Sequence, residues 1–411
     1  MRDICSKDSV KSKSKKINVF LIILIFMLIY FSHDTVLFGT NNDSNFFLIA
    51  NVILVSLLLA FLFYVIVREI KINFKIFTIY VFLVIATLVT MFFSYKTDFK
   101  YFYIIVLMTL VFFMTQIFTM DEFLISYLIV ILFLSVFSLI TFLFSKANMD
   151  FIYNFPIIIS QSGFKFYYLG FANVLQKLEY LSIRNYGIFR EPGVYAVFLN
   201  LGLIFAKKIK NEKQMILVLV ILVFTIISTF STGGVLVMGG ILLTYFIDAR
   251  FKNKYYFLIP IFIFLLFFIL LNKTIFDITF SKLFSWNSST FARVGSIFLN
   301  LQITTRNLFS ALFGSGFDFV ESFFIDGLSN GYGIVIHNTN TFFKMMSVFG
   351  IPYMIIILYG TTRFILKISN KSKLSKVLTV FLVFLIFSNA DLIFNSITYF
   401  LVLFGLNTDF E

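Results

Sequence analysis

Residues 123–145 read FLISYLIVILFLSVFSLITFLFS, with no charged side chain anywhere in the run. A helix rises about 1.5 Å per residue and the hydrocarbon core of a bilayer is about 30 Å thick, so about 20 apolar residues cross it. This run is long enough. The same rule marks ten more stretches, near 17–37, 46–67, 76–94, 101–119, 191–206, 215–231, 234–247, 255–271, 339–366 and 376–404. Asn389 and Asp391 interrupt the last, which reads as one long span or two short helices, giving eleven or twelve spans.

Composition agrees. The chain has 411 residues, 60% hydrophobic and 13% charged, with a mean hydropathy of +0.98. Soluble domains carry about 45–50% apolar and about 25% charged residues. The excess cannot be hidden in one water-soluble core, so lipid is the expected solvent for much of the surface. The expected fold is an all-α, polytopic transmembrane helical bundle, a single membrane domain over 1–411. Lys11, Lys13, Lys15 and Lys16 precede the first apolar run, but no small-residue cleavage site follows, so it reads as a retained helix.

The net charge of +13 does not indicate nucleic-acid binding, because the basic residues are scattered between apolar runs instead of forming one face. They follow the positive-inside pattern. With the N-terminus in the cytoplasm, inner loops carry Arg68, Lys71 and Lys75, then Lys207, Lys208, Lys210 and Lys213, then Arg250, Lys252 and Lys254, then Lys367, Lys371, Lys373 and Lys376. Asp121 and Glu122 fit less well, being acidic in a loop assigned to the inside. Cys5 is the only cysteine, so no disulfide and no cysteine metal cluster is expected, and two histidines leave little scope for a metal site.

Two outer loops are long, 146–190 and 272–338. Loops of that length are usually functional. Both contain amphipathic stretches, Phe164 to Leu181 and Phe291 to Leu312, expected to form interfacial or re-entrant helices. The two loops hold Arg184, Arg190, Arg293 and Arg306, whereas lysine dominates inside. A guanidinium fork grips phosphate oxygens in pairs, which lysine does not. In Arg184-Asn185-Tyr186-Gly187-Ile188-Phe189-Arg190-Glu191-Pro192-Gly193, Gly187 allows a turn that lets both arginines converge. Pro192 favours the first turn of a helix and makes Glu191 extended. The plain alternative is a helix cap with two arginines reaching for the lipid boundary. Ser231-Thr232-Gly233-Gly234 reads first as a helical hairpin and second as a set of N–H groups for an anion. His337 precedes Asn338 and Thr339, either of which would cap the tenth span. A histidine there is expected neutral and able to accept a proton. His33, in a short polar loop, is expected to be solvated, and Arg306 to be structural.

These pieces come in a recognisable order: Arg184-x-x-Gly187-x-Phe189 before a span, a Ser-Thr-Gly-Gly hairpin, and a long arginine-bearing loop with Phe313-Gly314-Ser315-Gly316. His337-Asn338 then heads a span, and Gly350-Ile351-Pro352 follows. The chain resembles the O-antigen polymerase and ligase superfamily, nearest to the repeat-unit polymerases of capsule and exopolysaccharide clusters. The resemblance covers about 180–360 by motif and most of the chain by topology. Gly233-Gly234 stands where many relatives have a Ser-Arg pair, which removes one phosphate-binding arginine. The resemblance implies a metal-independent, cofactor-free glycosyltransferase in the bacterial cytoplasmic membrane. Its substrate would be an undecaprenyl-diphosphate-linked glycan, and a flippase and a chain-length regulator would be its companions. It implies Arg184, Arg190 and Arg293 as diphosphate ligands and His337, then Glu191, as the base, with Asn338, Ser231, Thr232 and Gly233 in support. An O-antigen-ligase-like en bloc transferase and a flippase or transporter of the same lipid intermediate are the alternatives.

Overall fold

A computed structural model describes residues 18–41, 43–94, 98–161, 163–176, 184–248, 289–326, 338–368 and 372–407. The apolar run 255–271 and His337 lie outside them. The described chain is overwhelmingly helical. Its N-terminal part comprises α1 (Val19–Tyr30), α2 (Val36–Gly39), α3 (Ser44–Val67), α4 (Phe74–Phe93), α5 (Phe99–Ile117), α6 (Met120–Ala147) and α7 (Met149–Ile152). After a small sheet come α8 (Pro192–Phe205), α9 (Glu212–Ser228) and α10 (Thr232–Ile247). The C-terminal part comprises α11 (Ser289–Thr305), α12 (Leu308–Phe313), α13 (Gly316–Asp326), α14 (Thr341–Phe349), α15 (Ile351–Ile368), α16 (Lys373–Ser388) and α17 (Ser396–Leu406).

Five helices among the described residues are long and apolar enough to cross a membrane, within Leu48–Val67, Phe74–Phe93, Phe99–Ile117, Met120–Ala147 and Ile351–Ile368. The chain is a membrane protein of helical type. Leu48, Phe63, Phe74 and Phe92 on α3 and α4 stay exposed, as a lipid-facing surface requires. By contrast α8 is buried along almost its whole length, from Val194 to Phe205, so protein and not lipid surrounds it.

Polar residues at the ends start the helices. Asn18, Asp43, Asn73, Asp98, Asn211, Ser231 and Asn395 each accept a backbone N–H in the first turn of the following helix. At α6, Thr119 and Glu122 form a reciprocal capping box. The acidic pair Asp121-Glu122 thus lies in the first turn of α6.

Two expectations need correction, and one open reading is decided. The stretch 339–366 is not one span but α14 and α15, broken at Gly350. Of the two readings of the last stretch, the structure has the two helices, α16 and α17, parted by 389–395. The stretch Phe164 to Leu181 holds no helix in its described part. Instead 157–175 makes an antiparallel sheet of β1 (Ile157–Ile159), β2 (Lys165–Tyr168) and β3 (Asn173–Leu175), with Ile158 opposite Phe166 and Tyr167 opposite Val174. Ile157, Phe166, Tyr167, Tyr168 and Val174 are β-branched or aromatic, and Gly163 and Gly170 at positive φ sit in the connections.

The turns after α12 and α14 clasp each other. Gly314 and Gly350 both have positive φ, +77° and +94°. A Cβ on Gly314 would lie 2.0 Å from the Val348 carbonyl oxygen, and one on Gly350 2.3 Å from that of Leu312. Ser315 N–H donates to the Ser347 carbonyl at 2.8 Å.

The two ends of the bundle differ. At one end the lysine-rich connections meet: Lys207 pairs with Asp248 beside Ser375, and Lys367 donates to the Asn407 carbonyl. At the other end the sheet, the α1–α2 connection and the residues before α8 come together, where Asn41 bridges Ser160 and Thr35 bridges Phe189.

Candidate functional site

The segment before α8 is pinned from several sides. Buried Asn185 donates to Ser138 at 3.2 Å and to Ser228 at 2.9 Å, and its amide oxygen accepts the Gly187 N–H at 3.0 Å. Gly187 has φ +53°, and a Cβ there would lie 2.8 Å from the Tyr195 ring, so the turn needs glycine on both counts. Glu191 is extended (φ −139°, ψ 142°) with Pro192 at the first helical turn, as its sequence implied. Its carboxylate caps nothing.

That turn does not aim Arg184 and Arg190 at one spot in the same way. Arg184 donates through Nε to the Thr229 carbonyl (2.9 Å) and through Nη2 to the Phe230 carbonyl (2.7 Å). It closes the C-terminal end of α9, where carbonyls lack partners. Arg190 turns to the α1–α2 connection, with Nη2 3.5 Å from Asp34 Oδ1. What the two share is Glu191, which is exposed and lies within electrostatic reach of Arg184, Arg190 and Arg293 alike. Burial disfavours the charged forms of Arg184 and Arg293, and Glu191 offsets part of that cost.

Arg293, from α11, lines a small, partly open cleft. Gly193, Asn200, Ser231, Gly233, Gly234 and Asn389 share its walls. Ser231 caps α10, accepting the Gly234 N–H at 3.3 Å, so the positive end of that helix opens on the cleft beside a guanidinium. A Cβ on Gly233 would come 2.9 Å from Asn389 Oδ1 and 3.5 Å from Arg293 Nη1. Glycine at 233 therefore leaves room between two polar groups, where any side chain would fill it. Thr232, at the first turn of α10, is partly buried beside them.

Asn338 and Thr339 do not cap the following helix. Asn340 does, accepting the Phe343 N–H at 3.1 Å. Asn338 instead exchanges two amide hydrogen bonds with Asn300 of α11, at 2.9 and 3.1 Å, and Ser347 donates to the same Asn300 at 2.6 Å. Arg306 stacks its guanidinium 4.3 Å from the Phe319 ring centre.

Beside Arg190 lies a second polar group that sequence reasoning did not mark. His33 is not the freely solvated loop residue expected but half-buried, packed edge-on to Tyr103 at 4.6 Å and tilted against Phe394 at 5.2 Å. Burial, then Arg190, pushes its imidazole down to about 4. Asp34 is buried and accepts from Asn395 at 2.8 Å. Lys344 of α14 pairs with Asp391 at 2.6 Å, and Thr341 donates to the Ala390 carbonyl. A signal existed: Asp391 and Lys344 are charges inside apolar runs, which is costly and marks a built site. Comparison with known proteins gives no family model and no curated relative that matches this chain.

Proposed function

We propose that this protein polymerises undecaprenyl-diphosphate-linked oligosaccharide repeat units at the outer face of the bacterial cytoplasmic membrane, with its N-terminus in the cytoplasm. The observation that supports this reading best is the set of three arginines around Glu191, next to a cleft that Arg293 shares with the positive end of α10. Asp34 and Asp391 offset Arg190, but Arg184 and Arg293 share Glu191 alone among the described carboxylates that act on them, which leaves a positive field on that side, and the lysine-rich connections lie at the opposite end of the bundle.

The chemistry follows from that field. A hydroxyl of one lipid-linked repeat attacks the anomeric carbon of the growing chain. The bond from that carbon to the diphosphate oxygen breaks, and its electron pair stays on the departing lipid diphosphate. Fixed donors aimed at the developing charge lower the barrier without reorganising at the moment of reaction. In this reading Arg293, Ser231, Thr232 and Gly233 hold the diphosphate and Arg190 approaches from the Glu191 side. Arg184 acts through the backbone it closes. The hydroxyl proton goes to His337, with Glu191 as the second choice.

Purified protein in liposomes, given lipid-linked repeats, is expected to yield a ladder of increasing repeat number. A single transfer to one acceptor would instead favour an en bloc transferase. A transporter reading draws on one observation of its own: two neighbouring broken helices, α14–α15 and α16–α17, joined by the Lys344–Asp391 pair. Movement of the intact lipid intermediate between leaflets with no new glycosidic bond would favour it and sink the polymerase.

A further inference from the structure

Asp34 is held more closely than a loop carboxylate needs to be. Its side chain is 3% exposed, with one oxygen 3.5 Å from Arg190 Nη2 and the other accepting from Asn395 Nδ2 at 2.8 Å. Its main-chain carbonyl accepts the Arg190 N–H at 2.9 Å, and Val36 N–H donates to the Ile188 carbonyl at 3.0 Å. The α1–α2 connection therefore grips Arg190 by backbone and side chain together. Arg190 Nε is sealed from water without a hydrogen-bond partner, although the side chain as a whole is 33% exposed. Burying a carboxylate costs more than one ion contact at this distance returns. Its presence is better explained by the direction it imposes on Arg190 than by stability.

We propose that Asp34 is a positioning residue: it fixes the Arg190 guanidinium beside Glu191 so that an incoming lipid diphosphate meets an arginine already aimed. Asn395, from the break between α16 and α17, fixes Asp34 in turn. The inference takes the identity of the anion from the polymerase reading. Facing Asp34 are Arg190, Glu191, Asp391 and Tyr103, and neighbouring His33 also feels Lys100 and Lys344. Burial pushes the Asp34 carboxyl up to about 6, so mild acid neutralises it while the arginine stays charged.

The two consequences of neutralising Asp34 have opposite signs. Losing a negative charge beside an anion site tightens ground-state binding through Coulomb attraction. Losing the grip on Arg190 lowers turnover, because misplacement of a transition-state ligand slows the reaction. General structural damage would weaken both.

The test uses the full-length protein in detergent with geranylgeranyl diphosphate as probe. Wild-type affinity is expected to rise about tenfold as the pH falls through about 6. Asp34→Asn is expected to bind tightly at every pH without that step, and Asp34→Glu to restore it. With lipid-linked repeats at saturation, Asp34→Asn is expected to lose about tenfold or more in kcat, and Asp34→Glu to recover most of it. Asn395→Ala, which loosens Asp34 but keeps its charge, is expected to retain the binding step and lose turnover. A step that persists in Asp34→Asn overturns the proposal, as does wild-type kcat in that variant. If the wild type shows the step but forms no polymer, the polymerase reading fails and the Asp34–Arg190 coupling stands.

Discussion

Lys344 Nζ lies 2.6 Å from Asp391 Oδ2, joining α14 to the break between α16 and α17 with both side chains largely buried. Removing one partner of such a pair leaves a charge without compensation, at a cost of about 3–5 kcal/mol. Lys344→Met is therefore expected to unfold well below the wild type in detergent melts. Lys344→Met with Asp391→Leu is expected to recover most of the loss. A Lys344→Met variant that melts with the wild type would show that the pair contributes nothing.

Arg184 and Arg293 should separate stability from chemistry. Arg184 gives two charge-assisted bonds to the Thr229 and Phe230 carbonyls, in the turn that follows α9, so Arg184→Ala is expected to cost about 2 kcal/mol in unfolding free energy. Arg293→Ala is expected to melt close to the wild type and to lose polymer formation by about a hundredfold. Chemical denaturation alongside the product ladder checks both. The reverse ranking would place the anion site at Arg184.

Gly233 offers a steric probe. Its added Cβ would meet only the ends of Asn389 and Arg293, 2.9 and 3.5 Å away, which are side chains able to shift. Gly233→Ala is expected to fold normally and to lower activity several-fold, and Gly233→Val to lower it further, through a raised donor KM. Unchanged KM in both would exclude the cleft from donor binding.

The His33–Asp34 neighbourhood sets the response to acid. An unfolded imidazole takes up its proton near 6.5, while folded His33 resists until about 4, so its contribution to stability falls as the pH drops across that window. Folded Asp34 takes up its proton near 6, while the unfolded carboxyl waits until about 3.8, so its contribution rises as the pH drops. The two slopes oppose each other. Asp34→Asn, left with the His33 slope, is expected to lose melting temperature from about 6.5 down to about 4, and His33→Gln to gain it. Parallel pH curves for both variants would refute the assignment.

Much of this was legible in the chain. Runs such as 123–145 dictate helices because nothing else satisfies a backbone in lipid, and Pro192 placed the start of α8. The breaks were harder. Gly350-Ile351-Pro352 was visible, but the close approach of Gly350 to Leu312 that ties this turn to Gly314 is a contact between distant segments. The sheet at 157–175 was missed because Phe164 to Leu181 has enough apolar residues to fit a helix, and only pairing to Ile157–Ile159 decides otherwise. Among the site residues, Arg184, Arg190, Arg293 and Glu191 were found from residue type and loop position. Their division of labour was not, since it depends on which carbonyl or carboxylate stands opposite. His337 lies outside the described residues. Asp34 and Asn395 were invisible because their importance is a pairing across almost the whole chain.

The mutual clasp of Gly314 and Gly350 has a bearing on descent. Each turn occupies the space that a side chain at the other would need, so losing one glycine cannot be repaired by altering its counterpart. Selection sees the two as one heritable unit. In a lineage that keeps this junction, both positions should be glycine, and where one has drifted the other should be free to follow.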